Sequence, residues 1–357
     1  MLSRFVFDQP SYRVLFGPGT LDRVGDEVAR LGAARALVIS TQAEAALADD
    51  VVRRLGARAA GTFTGAVMHH PIDVVQAARA RAADLAADCY VTIGGGTTTG
   101  TGKAIALETG MPVVAIPTTY AGSEMTPIYG MTADGVKKTG RDRRVLPRAV
   151  IYDPTLTLSL PPHVAGPSGI NALAHCIEGL YAHDGNPIVT LMAAEGIRAL
   201  ARALPRVVAA PGDLDARSDA LYGAWLAGVV LGTTSMGLHH KLCHTLGGSF
   251  NLPHAEVHAV ILPHAVAYNQ PAAADAMRIA ADALGAPEAA GGVYDLVAGI
   301  GAVRSLRALG MPADGVDRAA RLAVENQYPN PRPLAYEPIR ALLAAAYDGR
   351  RPTIASR

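Results

Sequence analysis

Cysteine is scarce in this sequence: three residues in 357, Cys89, Cys176 and Cys243, none of them in a Cys-x-x-Cys pair. That excludes a disulfide scaffold and a thiolate zinc framework, and it fits a reducing compartment such as the cytoplasm. Charge is thin and balanced, 18% of residues with 32 basic against 31 acidic, which removes nucleic-acid binding driven by bulk charge. Repeats, low-complexity tracts and charge blocks are lacking, and half of the residues are apolar. The chain therefore reads as a globular protein of one or two domains.

Long apolar runs are also missing. The opening MLSRFVFDQPSYRV has no apolar stretch of signal-peptide length and no small-residue cleavage context, so no export signal is expected. Ala220–Leu238 carries no formal charge, but it contains Gly223, Gly228, Gly232 and Gly237 and a Thr233-Thr234-Ser235 run. With no second span beside it, it reads as a buried core helix followed by a polar turn, and no membrane is expected. Neither a Gly-x-Gly-x-x-Gly fingerprint nor a Walker loop occurs, since Lys103 is followed by Ala104; nucleoside triphosphate hydrolysis is disfavoured.

What is present is an alternation of short apolar runs with amphipathic stretches. Leu21, Val24, Val28 and Leu31 recur at helical spacing up to Gly32, and strands are expected over 36–39, 62–67, 89–93, 113–116 and 148–152. Helices are expected between them over 72–87 and 101–109, with a hairpin turning at Asp134-Gly135. Beyond Leu160-Pro161-Pro162 the strand signals vanish, and helices are expected over 168–181, 188–204, 215–231, 238–246, 257–269, 272–284 and 339–347. The fold class is thus an α/β domain with a mostly parallel sheet over 1–158, followed by an all-α domain over 159–357.

After strand 89–93 comes Gly94-Gly95-Gly96-Thr97-Thr98-Thr99-Gly100-Thr101-Gly102-Lys103, running into a helix. Glycines let the backbone approach a ligand and turn N–H groups toward it, and a helix N-terminus favours an anion. A pyrophosphate cradle is the expected use. Strand 113–116 runs into Thr118, Thr119 and Ser123 at the same carboxyl edge, where hydroxyls suit a ribose or a nicotinamide amide. Thr41 ends strand 36–39 with no acid beside it, so NADH and NADPH are both expected to be admitted.

Six of the 11 histidines, His239, His240, His244, His254, His258 and His264, fall between residues 239 and 264. His240 and His244 share a helix face, as do Asn171 and His175 on another helix, and with His254 after a turn they can converge on one centre. His239, His258 and His264 read as structural.

GGGTTTGTGK, PTTYAGSE, Asn171-x-x-x-His175 and HHKLCHTLGGSFNLPHAEVHAVILPH together resemble the iron-containing (group III) alcohol dehydrogenase superfamily, over nearly the whole chain. The resemblance implies the dehydroquinate synthase-like arrangement of a dinucleotide-binding domain and a helical domain. Where metal-dependent members hold an ion with one Asp and three His, this chain has Asn171, His175, His240 and His254; where they carry an Asp in the phosphate loop it has Gly100, and Lys241 sits between the histidines. These departures, with KKTGRDRRVLPR, GLYAHDGNP and ENQYPNPRP, are similar to the maleylacetate reductase branch. That branch reduces the double bond of maleylacetate with NADH or NADPH to give 3-oxoadipate in bacterial degradation of aromatic compounds. The resemblance implies a homodimer acting on a small dicarboxylate without a metal. It implies catalytic roles for His240, His175, His254, His244, Asn171 and Lys241, and cofactor binding by Thr41, Gly94, Gly95, Gly96, Thr97, Thr98, Thr118, Thr119, Ser123 and Lys137. Lys241 and Arg332 are the cations to consider for the substrate carboxylates, with Tyr328 as a further donor.

Overall fold

A computed structural model describes residues 7, 12–133, 136–325 and 327–354. The chain divides into two compact units, Asp8–Leu160 and Pro161–Arg357, the second also taking Phe7.

In the first unit the strands are β1 (Arg13–Phe16), β2 (Ala36–Ile39), β3 (Ala59–Phe63), β4 (Cys89–Gly94), β5 (Val113–Pro117), β6 (Ile128–Ala133), β7 (Val136–Arg141) and β8 (Ala149–Tyr152). Six of them form one parallel sheet in the order β1-β8-β5-β4-β2-β3. Every residue of β2, β4, β5 and β8 is buried, as a sheet covered on both faces requires. Side chains alternate between two cores. Val38, Val91, Ile93 and Ile116 pack with α1 (Val24–Arg30) and α2 (Ala45–Leu55), whereas Leu37, Ile39 and Tyr90 pack with α3 (Ile72–Asp84) and α4 (Gly96–Thr109). After β2 the chain steps outward to β3, and after β4 it steps the other way to β5 and β8. The order therefore reverses between β2 and β4, the kind of switch point at which open α/β sheets bind ligands.

β6 and β7 pair antiparallel as the expected hairpin, although its turn, Asp134-Gly135, lies outside the described residues. The weak strand expected over 62–67 is β3, shifted to Ala59–Phe63, because Ala36, Leu37 and Val38 of β2 pair with Ala59, Gly61 and Thr62. β1, α2 and two later helices are additions to the sequence reading.

The second unit consists of α5 (Pro162–Tyr181), α6 (Pro187–Ala209), α7 (Leu214–Thr233), α8 (Leu238–Phe250), α9 (His254–Asn269), α10 (Ala274–Leu284), α11 (Ala289–Gly299), α12 (Gly315–Val324) and α13 (Tyr336–Asp348). Leu238, Leu242, Leu246, Val257, Ile261 and Leu343 belong to one core joining α8, α9 and α13. The long uncharged segment lies largely in α7, where Ala220, Leu221, Ala224, Ala227 and Val230 are buried. Among the described residues no single helix is long and apolar enough to cross a membrane.

Candidate functional site

In the first unit the carboxyl edge of the sheet is built around Gly94. Its φ of +143° is open to glycine, and a Cβ there would lie 2.5 Å from both Glu44 Oε2 and Thr98 Oγ1. The helix begins at Gly96, five residues earlier than the expected Thr101. The N–H groups of Thr98 and Thr99 both turn back to Gly95 O, at 3.1 and 3.2 Å, so the run is itself the first turn of α4 and its N-terminus sits at the strand end. Thr118 N–H donates to Gly94 O, and a Cβ on Gly95 would press on Thr119 at 3.1 Å. Thr41, Gly94, Gly95, Gly96, Thr98, Thr118 and Thr119 are thereby brought together, with Thr97 on the first turn. Ser123 is reached through Lys103. For Lys137 only the backbone, paired with Thr132, is among the described features.

Three residues of this edge were not picked out from the sequence. Glu44 is the first: Thr41 Oγ1 donates to its Oε2 at 2.8 Å and Thr118 Oγ1 to its Oε1 at 3.0 Å, with Thr98 Oγ1 3.5 Å from Oε2. The Thr41-x-x-Glu44 spacing of a helix capping box was the available signal. The expectation of no acid near Thr41 is corrected by a carboxylate delivered from the turn after β2. His70 is the second; its ring nitrogen Nε2 lies 3.1 Å from Thr97 O, and a side chain at Gly100 would overlap that ring. His69 and His70 both have positive φ, 69° and 50°, a conformation that costs non-glycine residues. The third is Lys103, fully buried, whose Nζ donates to Ser123 O at 2.9 Å and Thr126 Oγ1 at 3.0 Å. Burial, opposed in part by Glu124, brings its ammonium down to about 7.

In the second unit α5 presents Asn171, His175 and Glu178 at spacings of four and three, hence on one face. Glu178 is a further residue that the sequence reading missed, although the Asn-x-x-x-His-x-x-Glu spacing could have pointed to it. It is fully buried, and its Oε2 accepts from His240 Nδ1 at 2.5 Å and from Gly237 N–H at 3.1 Å. Oε1 accepts from His239 N–H at 2.8 Å and from Tyr181 OH at 3.1 Å. One carboxylate of α5 thus caps the start of α8, whose own N-cap Gly237 has no side chain to do so, and fixes the His240 ring with its proton on Nδ1.

Around His240 the rings form a cluster. His175 stacks on it at 4.9 Å between centroids, His258 meets it edge-on at 5.0 Å, and His244 lies at 6.0 Å. His239 and His258, read from the sequence as structural, belong to this cluster: His239 Nε2 and His258 Nδ1 share a hydrogen bond of 2.8 Å. His254 is exposed, packing on His258 at 4.5 Å and stacking with His244 at 6.5 Å. Burial, reinforced by the neighbouring imidazoles, holds His175, His239 and His258 well below the usual histidine range. His264 stands apart, lining a space with Pro263, Tyr294 and Arg304. His244 Nδ1 is 3.0 Å from Tyr328 OH, and Lys241 Nζ lies 5.9 Å from the Tyr328 ring. Arg332 is committed elsewhere, donating to Tyr268 O at 3.1 Å and stacking on that ring.

Among the described residues one group of three His, Cys, Asp or Glu donors has its ligand atoms within 4.8 Å of one another: His239, Cys243 and His258. These are already bonded together, and burial pushes the Cys243 thiol well up. Asn171 Oδ1, His175 Nδ1 and His240 Nε2 are buried without a hydrogen-bond partner, as are the second ring nitrogens of His239 (Nδ1) and His258 (Nε2).

The family model for iron-containing alcohol dehydrogenase matches residues 10–154, and that for the C-terminal part of the Fe-containing alcohol dehydrogenase family matches 166–347. A maleylacetate reductase from Burkholderia cepacia is 59% identical, covering 99% of this chain and 100% of its own length. One from Sphingobium indicum is 56% identical at the same coverage. The crystal structure of maleylacetate reductase from Agrobacterium tumefaciens matches with a TM-score of 0.96 at 50% identity, covering 98% of this chain and 100% of that one. With both halves matched by family models and the relatives aligned end to end, the chain belongs to the iron-containing alcohol dehydrogenase family, among its maleylacetate reductases.

Proposed function

We propose that this chain reduces the carbon–carbon double bond of maleylacetate to give 3-oxoadipate, with NADH or NADPH as reductant. In this reading it acts as a cytoplasmic homodimer without a resident metal ion. The observation that carries the reading is the set of buried, unsatisfied atoms on Asn171, His175 and His240. Such atoms are costly unless a ligand completes them; the oxygens of a dicarboxylate with a ketone accept from imidazole N–H groups, and from Asn171 once its amide is turned to present N–H in place of Oδ1.

The donors fit a divalent ion poorly. Asn171 offers a neutral amide where metal-dependent relatives have a carboxylate, and Glu178 is held by His240 and two backbone N–H groups. Hard and borderline cations lose most by such a change. Conjugate reduction needs no Lewis acid. It needs donors for an enolate oxygen and a proton for the adjacent carbon.

The cradle of the first unit fits a nicotinamide dinucleotide. Gly95, Gly96, Thr97 and Thr98 at the start of α4 would hold the pyrophosphate, and Thr118 and Thr119 the neighbouring groups. When bound, the nicotinamide supplies hydride to the carbon β to the ketone. Glu178 keeps the proton of His240 on Nδ1 and supplies the counter-charge when Nε2 is also protonated, so Nε2 is the atom that can deliver a proton to the enolate carbon. Asn171 can turn its amide N–H to an oxygen that an aspartate would repel. Tyr328, His244 and Lys241 form an adjoining polar group suited to a carboxylate.

The test is oxidation of the reduced cofactor with maleylacetate, before and after exhaustive chelation. Turnover should survive chelation unchanged, and Asn171→Asp should raise affinity for divalent ions while slowing reduction. Activity lost to the chelator and restored by one ion per chain overturns the metal-free reading.

A further inference from the structure

We propose that Glu44 selects the cofactor: its carboxylate accepts the ribose hydroxyls of NADH and opposes the 2′-phosphate of NADPH. The proposal rests on the nucleotide reading of the cradle and names the group that decides between its two forms.

Three observations carry it. First, the carboxylate spans the switch point of the sheet. Glu44 follows β2, lies against Gly94 at the end of β4, and accepts from Thr118 at the end of β5. Ligands of open α/β sheets enter over these strand ends, and an acid on the strand beside the glycine loop is well placed to meet the ribose. Second, the spacing Thr41-x-x-Glu44 is that of a capping box, yet the Thr41 side chain makes no cap bond to the backbone. It donates to the Glu44 carboxylate instead, so the acid is turned away from its helix end and into the cradle. Third, the neighbour is a glycine that leaves room for this carboxylate; any Cβ at position 94 would meet Glu44 Oε2 at 2.5 Å. The surrounding hydroxyls orient the carboxylate without neutralising it, and the two basic side chains nearest in sequence are engaged elsewhere, Arg35 with Leu85 O and Arg53 with Asp50.

A negative group held there discriminates by sign. Ribose hydroxyls are donors that a carboxylate accepts, whereas a 2′-phosphate brings a second negative charge to the same spot, and a close pair of like charges opposes binding. Where the absence of an acid beside Thr41 led to the expectation that both cofactors are admitted, Glu44 adds a preference for NADH.

Titration calorimetry of the full chain with ADP-ribose and with its 2′-phosphate separates the binding term from turnover. The wild type should bind ADP-ribose at least ~10-fold tighter than the phosphorylated form, about 1.4 kcal/mol. Glu44→Gln, which keeps the shape and one accepting oxygen, should bring the two within ~3-fold, chiefly by improving the phosphorylated ligand. Glu44→Asp, which keeps the charge, should retain the preference. A wild type that prefers the 2′-phosphate, or a ratio that Glu44→Gln leaves unchanged, overturns the assignment. So does equal weakening of both ligands with a lowered Tm, which would make Glu44 a staple for its turn. If the wild type binds neither ligand, the nucleotide reading falls and the assignment with it; if both bind and only the ratio fails, the cradle stands without Glu44 as its selector.

Discussion

At the scale of single residues, the His240–Glu178 pair concentrates most of the consequence. His240→Ala removes the one cluster nitrogen that is both oriented by a carboxylate and left open, and kcat should fall ~10²-fold or more, the usual scale for a lost general acid or oxyanion donor. Glu178→Gln leaves the ring in place but turns an acceptor into a mixed donor and acceptor. As a positioning residue it should lower kcat by ~10-fold or more and displace the pH profile of kcat, with KM for cofactor unchanged. His264→Ala is the control. That ring lies with Pro263, Tyr294 and Arg304, away from the cluster, so kcat should stay within about twofold of wild type while some stability is lost to the cavity. Steady-state kinetics of the three variants decides the matter: equal losses at His240 and His264 would mean that the histidines serve only the fold.

Elements show where sequence pattern was sufficient and where it was not. Strands such as Cys89–Gly94 and Val113–Pro117 stand out because a strand buried on both faces is a continuous apolar run. The switch from strands to helices after Leu160 was legible for the same reason. The start of α4 was not, since threonines and glycines are poor helix formers, and only the tertiary position of Gly95 at the end of β4 turns them into a first turn. Glu178 and Glu44 were missed because each acts across chain distance: 62 residues separate Glu178 from His240 and 74 separate Glu44 from Thr118. Local periodicity carries no record of such pairs. The histidine cluster was legible by density, but the difference between exposed His254 and buried His258 depends on depth along α9, whose first residue is exposed while every residue from Val257 to Asn269 is buried.

Lys103 belongs to this scale as well, because it ties α4 to the Ser123–Thr126 turn. Its ammonium titrates near 7 in the folded chain against a reference of 10.5. Between those values the unfolded chain holds the extra proton, so this group's contribution to stability rises with pH. It is lost again as pH falls through about 7, with a slope of up to ~1.4 kcal/mol per pH unit. Lys103→Met removes that dependence. Urea unfolding of the two proteins from pH about 7 to about 9 should show the wild type gaining on the variant as pH rises. A constant difference would mean that Lys103 stays protonated throughout. The same variant should raise KM for the cofactor with little change in kcat, since it loosens a turn of the cradle.

For the molecule as a whole, chemistry is apportioned by unit: glycine- and threonine-rich backbone at the sheet edge of one, imidazoles with a single carboxylate in the other. The second arrangement has a consequence for how the protein opens. The amides at the start of a helix usually exchange with solvent early, because nothing within the helix holds them. Here the Gly237 and His239 amides are held by a buried carboxylate of α5, and freeing them means drawing the first turn of α8 off Glu178. In deuterium exchange these two amides should be protected as strongly as the middle of α8, and should be released together with it. The first turn of α8 would then report the opening of the whole helical unit.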